Sequence, residues 1–373
     1  MVSLFKTLKS RILKLSASIL GFFSRSSLKF GPPKGYYHSA QEYIDKHESM
    51  GKIQCLLKNP KKDLVTLKKG RVCLHPWAFI SADDNLLFEE SNCYNTKPED
   101  HWAFKTLKLP KAKSIKGKTL FLSFRRNYWH SLTDDSSLLN MLKANRIDLS
   151  SFDHIVCESP DNAASQQLHE IWNLNQNKLV SLIENKHLEC EELSFLAGSL
   201  RLANIPILQT REKILSKIKN IHEKPNKRLI ASREDATTRR WLNQPECVEM
   251  LTGRFKFECI LPSERNLFEQ AEIFNQAEVV VGIHGAALSN ILFMREKTTV
   301  IELRYRGQEG NFSSASCYEE LSKLVGINHI TVLCNGEERT DLRGRSIEDA
   351  NIRVDKTELL KAVESCLESI LED

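Results

Sequence analysis

The stretch from 228 to 303 constrains this chain more than any other, because strand-length apolar runs alternate there with helix-length amphipathic ones. Arg228-Leu229-Ile230-Ala231-Ser232 reads as a strand, Pro245 to Leu251 as a helix and Phe257-Glu258-Cys259-Ile260 as a second strand. Asn266 to Gln276 follows as a helix with Leu267, Ala271 and Phe274 inward. Then come the strand Glu278-Val279-Val280-Val281-Gly282-Ile283, a tight turn, a helix over Leu288 to Phe293 and the strand Thr299-Val300-Ile301-Glu302-Leu303. A β-α-β-α-β rhythm of this kind predicts a parallel sheet with helices on its faces, the plan of a nucleotide-binding half.

The first half carries the same alternation more loosely. Val72-Cys73-Leu74, Thr119-Leu120-Phe121-Leu122 and His154-Ile155-Val156-Cys157 read as strands. Helices are expected from about Asp134 to Leu142, over 163–174 and over 191–202, and a last amphipathic helix over 355–372. With 373 residues there is room for two domains, and 41% apolar with 27% charged residues excludes a disordered chain. The expected division is a segment over 1–30, an α/β domain over 31–205, a Rossmann-like domain over 206–345 and a closing helix over 346–373.

Residues 1–30 hold Lys6, Lys9, Arg11, Lys14, Arg25 and Lys29 with no acidic residue, so the net charge of +5 belongs to them and the rest is close to neutral. A nucleic-acid-binding body is thereby disfavoured. Leu4, Phe5, Leu8, Ile12, Leu15, Ile19 and Phe22 recur at helical spacing with the lysines on other faces. Two readings fit: a basic amphipathic helix on an anionic membrane surface, or a helix packed on the protein body. The ten cysteines are scattered singly, without a Cys-x-x-Cys pair, which reads as reduced core fillers in a cytoplasmic protein.

Three constellations carry chemistry. In Gly282-Ile283-His284-Gly285-Ala286-Ala287-Leu288-Ser289-Asn290 an apolar strand feeds a small-residue turn and a helix. Such a turn either offers backbone N–H groups to a diphosphate, or is a tight βα turn with a structurally bonded histidine. Ala231-Ser232-Arg233 with Thr238-Arg239-Arg240 is either a guanidinium grip on phosphates or a solvated charged loop. Asn127-Tyr128-Trp129-His130-Ser131-Leu132-Thr133-Asp134-Asp135 could stack aromatic rings on a sugar and take an acceptor proton on a carboxylate. Its alternative is an N-cap Asp pair with core aromatics. No Asp-x-Asp occurs, which favours chemistry without a metal.

In order and spacing these segments resemble the glycosyltransferase family 61 catalytic domain over about 120–305. The match runs through Ser232-Arg233, Arg239-Arg240, Leu267-Phe268-Glu269-Gln270, Ala277 to Asn290 and Val300-Ile301-Glu302. Asn127-Tyr128-Trp129-His130 is similar to the family's N-terminal signature, with Ser131 where an aromatic is common. Arg295-Glu296-Lys297 stands where the family usually has a Pro-Gly turn. The resemblance implies a GT-B fold, two Rossmann-like domains facing a cleft, the first taking the acceptor and the second a nucleotide sugar. It implies inverting, metal-independent transfer with no cofactor beyond the nucleotide sugar. It places Arg233, Arg239 or Arg240, His284, Gly285, Ala286 and Asn290 on the donor, Glu302 on the ribose hydroxyls, Asp134 as general base and His130 in the acceptor cleft. The acceptor expected is a glycan or lipid-linked glycan of capsule or lipopolysaccharide type, with the basic N-terminus beside the inner membrane face. An idle relative that only binds nucleotide or glycan as a scaffold is the competing reading.

Overall fold

The computed structural model describes residues 30–47, 53–55, 64–74, 77–91, 97–123, 127–158, 163–196, 204–219, 224–308, 316–337 and 350–372. The amphipathic helix expected over 1–30 lies outside them, Phe30 apart. Among the described residues no helix is long and apolar enough to cross a membrane. The chain is mixed α/β and divides into two units. The first comprises Met1–Arg125, Leu142–Pro160 and Leu174–Leu200, and the second Arg126–Met141, Asp161–Asn173 and Arg201–Asp373. Chain order and spatial grouping therefore interleave: the segment bearing His130 and Asp134 belongs to the unit that bears His284.

The first unit is built on a mixed sheet that runs Gly35–Tyr37, Asn85–Leu87, Ala78–Ile80, Arg71–Cys73, His187–Leu196, Lys113–Phe121, His154–Cys157 and Leu179–Ser181. Its last four strands are mutually parallel, and Leu64–Lys68 adds antiparallel to His187–Leu196. The core includes Phe79 stacked on Phe195 at 4.4 Å between ring centroids. The helix expected over 191–202 is, as far as Leu196, part of this long strand. Leu188, Cys190, Leu193 and Phe195 are buried, but the pairing register shifts between Cys190 and Glu192. That irregularity sets Glu191 and Glu192 side by side and breaks the period of two by which a strand is read.

The second unit's sheet runs Glu258–Ile260, Lys227–Ala231, Ala277–Ile283, Thr299–Tyr305, Asn328–Glu337 and Asn351–Arg353, parallel except for the last pair. Val279, Val280 and Val281 are all fully buried, so the unbroken apolar run reflects a strand covered on both faces. The helix Leu267–Asn275 starts on a capping box, in which Asn266 accepts from the Phe268 and Glu269 amides while Glu269 accepts from the Asn266 amide. Residues Ala286–Phe293 form a 3-10 helix rather than an α-helix. Numbered along the chain, the strands stand in the order 2-1-3-4-5-6. The connections leave in opposite directions on either side of Lys227–Ala231 and Ala277–Ile283, and the crevice at the carboxyl ends of such a pair is where open α/β sheets take ligands.

Candidate active site

At those two carboxyl ends the chain places Ser232-Arg233 and His284-Gly285. Ala231 pairs with Gly282 in register, which brings Arg233 level with the turn. The Arg233 guanidinium donates to the His284 carbonyl at 3.3 Å and lies across Gly285, where a methyl group would overlap it. Gly285 is therefore required for the cation to reach the turn. Gly282 is required behind it, since a Cβ there would come within 2.7 Å of Leu288 Cδ2. The amides of Ala286 and Ala287 precede the first bond inside the 3-10 helix and sit half-exposed beside Arg233.

The loop carrying the arginines is anchored. Gln244 Nε2 donates to Ser232 Oγ and to Glu234 Oε1, both at 2.8 Å. Farther along, Arg240 and Leu242 exchange backbone bonds with Ile352, and Asn243 bonds the backbone of Val354 in both directions. Between Arg239 and Arg240 the geometry distinguishes. Arg239 is half-buried, and its charge acts on the Tyr318 phenol next to His284, whereas the Arg240 side chain is exposed and only its backbone is engaged.

His284 is held by Glu302. Its Nδ1 lies 2.5 Å from Glu302 Oε1, while Arg304 Nη2 and His329 Nε2 reach Oε2 at 2.7 and 2.8 Å. Burial alone would raise the Glu302 carboxyl, but hydrogen bonds from His284, His329 and Arg304 outweigh it and hold the acid well below the usual carboxylate range. Glu302 is fully buried with both oxygens engaged by His284, Arg304 and His329, whereas the resemblance implies that it meets the ribose hydroxyls. Asn290 is also engaged. It is fully buried, accepts from the Tyr128 hydroxyl at 2.8 Å and donates to Gln270 Oε1 and the Ala287 carbonyl. It serves as a joint inside the turn.

The helix expected to begin near Asp134 begins at Tyr128, capped by the Asn127 side chain on the Trp129 amide, so neither Asp134 nor Asp135 is its N-cap. It passes through a π-helical turn over Ser131–Asp135, a widening frequent at functional sites. There His130 Nδ1 meets Asp134 Oδ2 at 2.7 Å, with about 30% of each side chain exposed (30% and 31%). Two contacts tie this segment to the 284–290 turn: the Tyr128–Asn290 bond, and Trp129 packed edge-on to Tyr318 at 5.1 Å. Tyr318 in turn lies 5.2 Å from the His284 ring and donates to the Gly285 carbonyl at 2.6 Å.

Sequence reasoning missed Tyr318, Arg304, His329 and Gln270. One signal for Arg304 was present: two residues after Glu302 on one strand, it shares that residue's face. His329 became legible only with the next strand, whose Thr331 pairs with Glu302. Among the described residues, no three His, Cys, Asp or Glu side chains converge as a metal site would require. Burial pushes the thiols of Cys73, Cys190 and Cys334 up to about 12, in keeping with their place as core fillers.

Parts of the chain are similar to known proteins. Over 97 residues the chain is 32% identical to the EGF domain-specific O-linked N-acetylglucosamine transferases of Bos taurus and Mus musculus, and 33% identical to that of Gallus gallus. The match covers 25% of this chain and 17% of each relative, so the chain spans only about a sixth of the length of the relatives it matches. The model of the glycosyltransferase 61 family matches residues 101–301, more than half of the chain, from before the Tyr128–Asp134 segment through the Arg233 loop and the 284–290 turn. The chain belongs to the glycosyltransferase 61 family.

Proposed function

We propose that this chain transfers a sugar from a nucleotide-sugar donor to a hydroxyl of a glycan or lipid-linked acceptor, without a metal and with inversion. The observation that carries the reading is the Arg233 guanidinium laid across Gly285 beside His284, at the switch point of a parallel sheet. Arg233, Arg239, His284 and the amides of Ala286 and Ala287 supply positive charge and donors for a diphosphate, the task a divalent ion performs in other transferases. The acceptor oxygen attacks the sugar C1 from the face opposite the diphosphate, the C1–O bond breaks, and its electron pair leaves on the phosphate oxygen. The acceptor proton passes to the His130–Asp134 pair. A single base on that face suffices for inversion.

The GT-B arrangement, a role in surface polysaccharide synthesis and a cytoplasmic place against the inner membrane face through residues 1–30 belong to the same proposal, on the strength of the family resemblance and the basic N-terminus. The names of the relatives make N-acetylglucosamine the first sugar to test.

Thermal unfolding with a panel of nucleotides and nucleotide sugars tests the donor site, first in EDTA and then with Mn²⁺. A ligand confined to the folded state raises its stability by mass action, by about 2.7 kcal/mol at a hundredfold excess over Kd. A shift in EDTA that is lost in Arg233→Ala supports the reading. A shift only with Mn²⁺ overturns the metal-free mechanism. No shift under either condition leaves the idle scaffold in its place.

A further inference from the structure

Resting on the donor site proposed above, we propose that Glu302 is a positioning residue: it fixes the His284 ring so that Nε2 meets the diphosphate of the leaving nucleotide as a hydrogen-bond donor. His329 and Arg304 hold the carboxylate in place for this purpose.

The argument is one of donors and acceptors. Glu302 is fully buried, and its two oxygens already receive His284, Arg304 and His329 at 2.5, 2.7 and 2.8 Å. An ionised carboxylate only accepts, so Nδ1 of His284 and Nε2 of His329 both carry hydrogen. With Nδ1 committed, His284 has Nε2 left to turn toward a ligand. A neutral ring would present a lone pair there, which repels a phosphate oxygen. The doubly protonated ring presents N–H there, the form a phosphate oxygen can accept from, while the carboxylate keeps Nδ1 fixed. The surrounding groups agree. Tyr318, on the helix Cys317–Val325, packs on the ring, Arg233 bonds the His284 carbonyl, and the charge of Arg239 acts on the Tyr318 phenol. Burial first and the Glu302 charge second push the Cys317 thiol up to about 12, and burial drives the Tyr318 phenol well above its ordinary value, so neither adds negative charge. During transfer the His284 proton is shared with the departing phosphate oxygen and stays on the ring, while the acceptor proton goes to the His130–Asp134 pair.

The test is a double-mutant cycle on nucleoside diphosphate binding, by calorimetric titration of UDP, GDP, CDP and ADP. The proteins are wild type, Glu302→Gln, His284→Ala and the double variant. The diphosphate that binds wild type is expected to bind Glu302→Gln about 10- to 100-fold more weakly. Adding Glu302→Gln to His284→Ala is expected to change affinity by less than about twofold, because Glu302 acts through the ring that is already gone. Equal losses in both backgrounds would give Glu302 a purely structural role and overturn the assignment. Should Glu302→Gln fail to fold, nitrogen NMR of the wild-type histidine rings decides the matter. Both His284 nitrogens protonated in the complex sustain the proposal, and an unprotonated Nε2 ends it. A wild-type chain that binds none of the diphosphates overturns both this assignment and the donor site, whereas binding without coupling overturns the assignment alone.

Discussion

Among the described residues of the second unit, two imidazoles meet a carboxylate through Nδ1: His284 with Glu302, and His130 with Asp134. In the first pair the side chains are 10% and 0% exposed, and the carboxylate also receives Arg304 and His329. In the second they are 30% and 31% exposed on one helical turn, with only Thr133 adding a long 3.4 Å bond to the acid. The pairs suit different work. A buried, over-determined pair holds one ring in one orientation, as a fixed donor to a leaving group must be held. A half-open pair can accept a proton and pass it to solvent, as a base must between turnovers.

The sharpest way to break this contrast is to substitute the half-open pair. Asp134→Asn keeps the size of the side chain and removes the charge that orients His130. Turnover is expected to fall about a hundred- to ten-thousand-fold, the range of a lost general base. Stability should change by only about 0.2–1 kcal/mol, as for exposed ion pairs. Steady-state kinetics beside thermal unfolding reads both. A variant that loses several-fold more stability than that and keeps its turnover would invert the assignment of the two pairs.

The buried pair should behave the opposite way. Glu302→Ala leaves His284, His329 and Arg304 facing a cavity without their carboxylate, and is expected to cost about 3–5 kcal/mol of stability. The pH dependence has a definite sign. Because the folded-state pKa of Glu302 is depressed, its contribution is present above the unfolded value of about 4.3 and is lost as pH falls toward the folded one. Urea unfolding from about pH 6 down to about pH 3 should therefore show a steeper acid loss in wild type than in Glu302→Gln. Parallel curves would mean that the carboxylate is no better held in the folded chain than in the unfolded one.

How legible these pairs were in the sequence follows from how each is built. His130 and Asp134 stand four apart on one helix, but the apolar spacing begins that helix at about Asp134 and so leaves His130 outside it; the Asn127 cap that starts it at Tyr128 is the signal missed. The strand Ala277–Ile283 was legible because a strand buried on both faces is apolar throughout, and the turn after it because Gly285 and Ala286 stand out beside it. Glu302 was located correctly at its strand, but its role depends on His329 from a neighbouring strand and on Arg304. A partner in a parallel sheet is set by register, which no local pattern announces. The same holds for Asn290, two of whose three bonds, to Tyr128 and Gln270, come from other elements.

The smallest effect expected is at the joint between the two pairs. The Tyr128 hydroxyl donates to Asn290 Oδ1 at 2.8 Å, and burial drives its pKa far above the ordinary phenol value, so it stays a donor at any working pH. Tyr128→Phe keeps the ring and leaves one buried carbonyl oxygen without its donor, a loss of about 1–3 kcal/mol at most. Trp129 still packs on Tyr318, so the segment stays attached to the 284–290 turn, though less firmly. Diphosphate binding should then be nearly unchanged, because the bonds seen at this site run from Arg233 to the His284 carbonyl, from His284 to Glu302 and from Tyr318 to the Gly285 carbonyl. Turnover with acceptor should drop several-fold, by analogy with a supporting contact that sets the distance between base and donor. The separation of those two readouts is what gives this mild variant its value. If binding falls as much as turnover, the two pairs form one rigid unit, and the contrast between a fixed donor and an adaptable base has to be given up.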